Sequence, residues 1–301
     1  MKTNPRLLIC TLYCGENEFE KCVASINAQS FKNWEHTVIK NLPNKEAHDT
    51  LYRGIMARRN EFDLFMKLDA DMVFRDENSL QKAVDLFLNT PELDNAEMAV
   101  HDWFPDSLTM GVHVFSNRVW WSPNSEDLFV DPLPHIPGKR LLLWGAPAPI
   151  VDHCPDPSPF QAYHYGVHRA LKTIQTGRLL SFDPFASGDL WRDFKRTWAH
   201  FLKARDRRLG FALLGATHVF GGRVRQYQYS YTNNELLSFF NGTCADLEYD
   251  ELYAILYPVW HEGVRREAVH LLRVGPKLTL GLSRAVFTKF KKLIAGNGEG
   301  L

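Results

Sequence analysis

Phe62-Asp63-Leu64-Phe65-Met66-Lys67-Leu68-Asp69-Ala70-Asp71 decides how this chain is read. An apolar run broken only by Asp63 and Lys67 has the character of a buried strand. It ends in two carboxylates separated by one residue. In an open α/β sheet the carboxyl edge of the strands is where ligands bind. Two oxygen donors placed there can hold a divalent cation and leave its other positions to phosphates and water.

Working outward, the preceding sequence supplies the partners such a strand needs. Leu7-Leu8-Ile9-Cys10-Thr11-Leu12 reads as a first buried strand, followed by the polar loop Cys14-Gly15-Glu16-Asn17-Glu18 and a helical pattern from Phe19 to about Gln29. Trp34 to Lys40 gives a second strand and Glu46 to Arg59 a second helix. Strand, helix, strand, helix, strand predicts an α/β fold with a mostly parallel, helix-covered sheet.

Beyond the acidic pair, Asn78 to Leu88 predicts another amphipathic helix. Met98 to Trp103 and Thr109 to Phe115 read as strands. From Trp120 to Asp156, prolines at 123, 132, 134, 137, 147, 149 and 155 forbid a long helix. This predicts a long ordered loop anchored by Trp120, Trp121, Phe129 and Trp144, with short strands near Leu141–Trp144 and Pro149–Val151. Ser158-Pro159 is a capping hydroxyl followed by proline at the first helical position, opening a helix to about Gln175. Further helices are expected over Asp189–Lys203, Leu209–Phe220, Asn233–Phe240, Tyr249–His261 and Leu282–Ile294.

The 301 residues suffice for a large α/β domain with a helical appendage. Lys plus Arg and Asp plus Glu number 35 each, so no global field draws the chain to nucleic acid. Cys10, Cys14, Cys22, Cys154 and Cys244 are odd in number and irregular in spacing, which fits thiols in a reducing compartment better than a disulfide framework. Cys10 and Cys22 fall on apolar faces and read as core. The apolar stretch after Met1-Lys2-Thr3-Asn4-Pro5-Arg6 is too short for a signal peptide or a span.

Three pieces in order carry a family likeness: Thr11 to Glu18, then Cys22-Val23-Ala24-Ser25-Ile26-Asn27-Ala28-Gln29-Ser30-Phe31, then Leu68-Asp69-Ala70-Asp71. Together they resemble the amino-terminal half of a family 2 glycosyltransferase with the GT-A fold and its Asp-x-Asp motif. The resemblance is good over residues 7 to 75, weaker through Phe115-Ser116-Asn117-Arg118 and thin thereafter. It implies a GT-A domain over residues 1–232, with a nucleotide-sugar half to about 118 and an acceptor half from about 119, and a helical extension over 233–301. The chain departs from the family where an acidic base-reading turn is usual, having Lys40-Asn41-Leu42-Pro43-Asn44 instead, and the usual Glu-Asp pair of the catalytic helix has no clear counterpart.

What the resemblance implies is a metal-dependent transfer of a sugar from a nucleotide-diphosphate sugar to a hydroxyl of a glycan or lipid-linked acceptor, with inversion. Mn²⁺ or Mg²⁺ would be held by Asp71 and Asp69, with His153 a further candidate ligand. Thr11, Tyr13, Glu16, Glu18, Asn41, Lys67 and Asp69 are the candidates for donor contact. Strand alternation places Lys67, Asp69 and Asp71 on one side. Inversion needs a base for the acceptor hydroxyl, and Asp156, between Pro155 and Pro157, is the first candidate, then Asp152 and Asp131. Arg169 and Lys172 could meet diphosphate. His101-Asp102-Trp103, Trp120 and Trp121 are candidate sugar platforms, flat rings with polar neighbours to read hydroxyls, with loop anchoring as the alternative for the last two.

Each reading has a plainer rival. Glu16 or Glu18 could cap a helix, Lys67 could form a structural salt bridge, and Asp156 could cap the helix it precedes. His164 and His168, four apart, share a helix face but lack the glutamate of a zinc protease motif. A nucleotidyltransferase should carry a Gly-rich basic loop after its first strand, where this chain is acidic. A non-catalytic sugar-binding scaffold is the third class. The lysines and apolar face of Leu282–Ile294 are compatible with weak peripheral membrane contact, so the expected location is cytoplasmic, at most peripheral at the inner face of the plasma membrane.

Overall fold

The structure, a computed structural model, describes residues 3–122, 134–145, 148–174, 184–225, 231 and 235–262. In chain order the strands are β1 (Leu7–Tyr13), β2 (Trp34–Lys40), β3 (Leu64–Lys67), β4 (Met72–Phe74), β5 (Leu93–Asp102), β6 (Ser107–Ser116), β7 (Lys139–Leu143) and β8 (Val151–His153). The helices are α1 (Phe19–Asn27), α2 (Asn44–Ala57), α3 (Ser79–Asn89), α4 (Pro159–Ile174), α5 (Pro184–Ala204), α6 (Arg207–Phe220) and α7 (Glu235–Thr243). Contacts divide the chain into Met1–Leu252 and Tyr253–Leu301. Residues 249–252 of the first unit and 253–262 of the second are helical.

The expected α/β class is present, and its sheet is mixed. The order is β2-β1-β3-β6-β5-β8-β4, with β7 also on β5. β1 pairs in parallel with β2 and β3, whereas β6 runs against both β3 and β5. β7 and β8 lie parallel to β5, and β4 runs against β8.

Period-two alternation between two covered faces explains why β1 is apolar from Leu7 to Cys10. Leu7 and Ile9 join one buried cluster with Cys22 and Ile26 of α1 and Leu80, Val84 and Phe87 of α3. Leu8 and Cys10 join another with Leu51, Tyr52 and Ile55 of α2. Helices thus cover both faces, and neither face of the strand can be polar. The reading of Cys10 and Cys22 as core holds, and the described cysteines are all free thiols.

β4 has no counterpart in the sequence reading: three residues after a turn give too short a pattern to register. The chain leaves β3 still bonded to β1, Leu68 N donating to Cys10 O (3.0 Å) and Ala70 N to Leu12 O (3.2 Å). It then turns into β4, which pairs Met72 with His153. That turn brings residues more than eighty positions apart to the same sheet edge.

α4 begins where the Ser158-Pro159 signal put it, with Gln161 N donating to Ser158 Oγ (3.1 Å). It packs on α6 at backbone contact. A Cβ on Gly166 would lie 1.7 Å from Ala212 O, and one on Gly215 would lie 2.2 Å from Tyr163 O. Only a residue without Cβ permits this approach; Tyr165 and Arg169 then tie α4 to Asp102 at the end of β5.

Among the described residues no helix is long and apolar enough to cross a membrane. Asp131, Phe129 and the segment Leu282–Ile294 lie outside the described residues.

Candidate active site

β1, β2 and β3 are parallel, so their carboxyl ends converge, and the segments leaving them line a cavity of about 260 Å³. Cys14 and Glu16 enter it after β1, Leu42 and Asn44 after β2, and Lys67, Asp69 and Asp71 at the end of β3. Thr109, Gly111 and His113 come from β6, His153 and Cys154 from the end of β8, and Tyr165, His168, Arg169 and Lys172 from α4. Of the expected donor and metal residues, Glu16, Lys67, Asp69, Asp71 and His153 are brought together here.

Asp71 is the centre of the arrangement. Its Oδ2 lies 3.4 Å from His153 Nε2 and accepts from Cys154 Sγ at 3.2 Å, while its Oδ1 is buried with no hydrogen-bond partner. Sγ and Nε2 are 3.6 Å apart. Cys154 adopts φ 50°, the left-handed region, and its N–H donates to Asp71 O (2.8 Å). A cysteine in that conformation costs on the order of 1 kcal/mol or more and persists only where the surroundings impose it. Here the turn aims the thiol back at the carboxylate.

Behind His153 stands Asp102, wholly buried at the end of β5. Its Oδ2 lies 3.3 Å from His153 Nδ1, off the line of a hydrogen bond, and accepts from Tyr165 Oη (3.0 Å) and Arg169 Nη2 (3.3 Å). Phe104 N–H donates to its Oδ1 (3.1 Å). Burial works against the charge of Asp71 and Asp102, yet His153 between them holds both below the ordinary carboxylate range. Burial also opposes the imidazolium, but Cys154, Asp71 and Asp102 together keep His153 protonated well above its usual range.

Asp69 accepts from the buried Lys67 amine (Nζ to Oδ2, 3.2 Å), so the salt bridge weighed as the plainer role of Lys67 is present at the cavity wall. Glu16 accepts from Cys14 N–H (2.6 Å). Burial, and then the charge of Asp71, push its carboxyl up to about 8.

The remaining expected residues lie away from the cavity lining. Thr11 is buried and meets His36 Nε2 at 3.0 Å. Tyr13 stacks on Phe19 with ring centroids 4.1 Å apart. Asn41 turns the chain after β2 with φ 56° and donates its N–H to Tyr13 O (2.9 Å). Glu18 neither faces the cavity nor caps α1; buried, it accepts from Gln161 Nε2 (2.8 Å) and Asp156 N (3.1 Å). Asp156 holds Lys21 (2.5 Å) and Arg208 (2.9 Å) through its carboxylate. Asp152 lies between Arg75 Nε (3.4 Å) and His101 Nδ1 (3.6 Å).

The tryptophans are likewise outside the lining. Trp121 stacks on Tyr52 at 4.6 Å and meets Phe115 edge-on, the anchoring alternative. Trp120 packs on His135, and Trp103 on Phe104 and His200. His168 lines the cavity, whereas His164 is buried against Phe160 and Tyr231, so the two do not form a ligand pair.

Cys154 and Tyr165 are site residues that the sequence did not single out, and Asp102 entered the reading only as a polar neighbour of Trp103, not as the partner of His153 and Arg169. The signal for Asp102 was an acid at the end of a strand otherwise apolar on that face, Met98 and Val100. For Cys154 there was only its place beside His153.

No protein-family model matches the chain, and no curated protein does. Among solved structures, the mannosyltransferase PcManGT from Pyrobaculum calidifontis, in complex with GDP-Man and Mn²⁺, is 10% identical, with 74% of this chain and 89% of its own covered and a TM-score of 0.41. A197 from STIV is 11% identical, with 38% of this chain and 65% of its own covered and a TM-score of 0.30. At such scores the likeness says nothing of activity. The α/β class with a mixed sheet stands on the strand pairing.

Proposed function

We propose that this protein is a cation-dependent glycosyltransferase that uses a nucleotide-diphosphate sugar as donor. The observation that carries the reading is Asp71 Oδ1, a carboxylate oxygen buried without a hydrogen-bond partner at the carboxyl end of β3. A buried polar atom left unsatisfied costs about 1–3 kcal/mol, so its retention beside a cavity calls for a ligand. The other oxygen, Oδ2, meets an imidazole and a thiol, and carboxylate, imidazole and thiol are the donor types of a divalent-ion site. A cation held there would offset the charge that develops on a departing diphosphate.

The same cavity supplies the other contacts such a donor requires. Arg169 and Lys172 line it together with the carboxylates, so one cavity offers cationic groups for phosphate oxygens as well as acidic groups for a metal ion. Asp102 and Tyr165 fix the Arg169 guanidinium from behind. Glu16, after β1, lines the same cavity, where its carboxyl can read ribose or sugar hydroxyls. In this reading Glu18, Gln161, Asn17 and Asp156 position the first loop on α4 rather than touch the donor: Asn17 N donates to Gln161 Oε1 (2.9 Å) and Asn17 Nδ2 to Asp156 O (2.8 Å).

The acceptor is a hydroxyl compound of the glycan or lipid-linked saccharide class, and the domain division at about residue 232 belongs to the same proposal. A panel of sugar nucleotides, incubated with and without divalent cations and followed for release of the nucleoside diphosphate, tests the reading. Cation-dependent release of at least one donor is expected. Release from none, or release indifferent to chelator, contradicts it.

A further inference from the structure

We infer that Asp71, His153 and Cys154 form a three-ligand centre in which the Cys154 sulfur binds the cation, and that the centre takes a thiophilic divalent ion of the zinc or cobalt class in preference to Mg²⁺ or Mn²⁺. This deepens the reading above at its cation and rests on that reading only for what the cavity then does.

The first support is spacing. Around a tetrahedral ion with metal–sulfur about 2.3 Å and metal–nitrogen and metal–oxygen about 2.0–2.1 Å, the ligand atoms stand about 3.5 Å apart for sulfur pairs and about 3.3 Å for nitrogen with oxygen. Here Sγ to Oδ2 is 3.2 Å, Sγ to Nε2 is 3.6 Å and Nε2 to Oδ2 is 3.4 Å. Once an ion displaces the protons of the Cys154 thiol and the His153 imidazolium into solvent, the three atoms stand near one face of such a tetrahedron, and the fourth position is left for substrate or water, as catalytic sites leave it.

The second support is what stands behind the ligands. A ligating imidazole has its other nitrogen backed by a carboxylate or carbonyl, and His153 Nδ1 has the buried Asp102 carboxylate 3.3 Å away, close enough for charge pairing though off the line of a hydrogen bond. Tyr165 and Arg169 fix Asp102 in turn. The third is the backbone: the positive φ of Cys154 and its N–H bond to Asp71 O hold the thiol against the carboxylate. A sulfur ligand favours zinc-like ions over the hard cations, which prefer all-oxygen shells.

The test is titration of the chelator-stripped full-length protein with Co²⁺, anaerobically, read as the sulfur-to-cobalt charge-transfer absorption. One such centre per chain is expected in the wild type and in Cys14→Ser, the other thiol lining the cavity, with the band lost in Cys154→Ser. Zn²⁺ at equimolar concentration should displace the cobalt, millimolar Mg²⁺ should not, and Cys154→Ser should lower Zn²⁺ affinity by about 100-fold or more, at or beyond the loss typical of outer partners. Should Cys154→Ser fail to fold, protection of Cys154 from alkylation by Zn²⁺ but not Mg²⁺, read by mass spectrometry on the wild type, decides the same point. No band in the wild type, a band that survives Cys154→Ser, or alkylation indifferent to Zn²⁺ overturns the inference. A cobalt–sulfur band with no sugar nucleotide turned over keeps the centre and removes the transferase reading. Turnover with Mg²⁺ or Mn²⁺ and no band does the reverse.

Discussion

Asp71 and Cys154, 83 positions apart, are joined twice: Cys154 N–H donates to the Asp71 carbonyl at 2.8 Å, and its Sγ lies 3.2 Å from Asp71 Oδ2. The backbone bond sets the register of the β8 end on the turn after β3. The side-chain contact then places a thiol and, through its neighbour His153, an imidazole on the same carboxylate. Sheet topology, not local sequence, makes the site.

Asp102 does not line the cavity, yet it holds Arg169 by a hydrogen bond and sets its carboxylate 3.3 Å from His153 Nδ1. Asp102→Asn is expected to weaken divalent-cation binding 10–100-fold, the usual loss for an outer partner of a ligating histidine. Competition titration with a chromogenic chelator measures it. Affinity equal to the wild type removes Asp102 from this role.

Glu16 gives the metal-free protein a pH signature. Its carboxyl is raised from 4.5 to about 8, by burial first and by Asp71 second. Folded chains therefore hold its proton across a window in which unfolded chains have released it. The contribution to stability is full below about pH 4.5 and is lost as pH rises through about 8. In chelator, the melting temperature of the wild type should fall between pH 5 and pH 8 more steeply than that of Glu16→Gln. Parallel profiles would show that Glu16 does not titrate in this way.

Gly166 tests the packing of α4 on α6. A methyl group there meets the Ala212 carbonyl at 1.7 Å, so helix backbones must separate. Overpacking of this kind costs about 1–3 kcal/mol, and more where backbone is the obstacle. Urea unfolding of Gly166→Ala should show a loss at the upper end of that range or beyond. Wild-type stability would mean that α4 and α6 are not in backbone contact.

Asp156 separates a positioning role from a chemical one. Its ion pairs with Lys21 and Arg208 involve side chains exposed by 58% and 28%, its own by 45%. Exposed pairs contribute about 0–1 kcal/mol. Asp156→Asn is expected to change stability by no more than that and to leave acceptor-independent donor hydrolysis within a few-fold of the wild type. A loss of several orders of magnitude would restore Asp156 as a group that acts in the reaction.

The half of the site built on local pattern was legible in the sequence. β1 and β3 are recorded in continuous apolar runs, and the acidic pair follows from its place after β3. Lys67, Asp69 and Asp71 line one cavity, although strand alternation reaches only to Lys67, where β3 ends, and the turn into β4 places Asp71. What depended on non-local pairing was not legible. β4 is three residues long, and its register with β8 alone decides that Cys154, not Asp152 or Asp156, faces Asp71. Glu18 looked like a loop acid, and only the approach of α4 shows it buried on Gln161. Asp102 carries no signal of partnership, because Tyr165 and Arg169 lie more than sixty residues ahead on another helix.

The claim on which the rest depends is that Asp71 holds a cation against a diphosphate. It is tested most directly by donor hydrolysis with the wild type and Asp71→Asn, each assayed with divalent cation and in chelator across a panel of sugar nucleotides. Nucleoside diphosphate should appear only with wild type and cation together, falling at least ~100-fold, about 2.7 kcal/mol of transition-state stabilisation, in the variant. Undiminished release by Asp71→Asn, or by the wild type in chelator, would contradict the account.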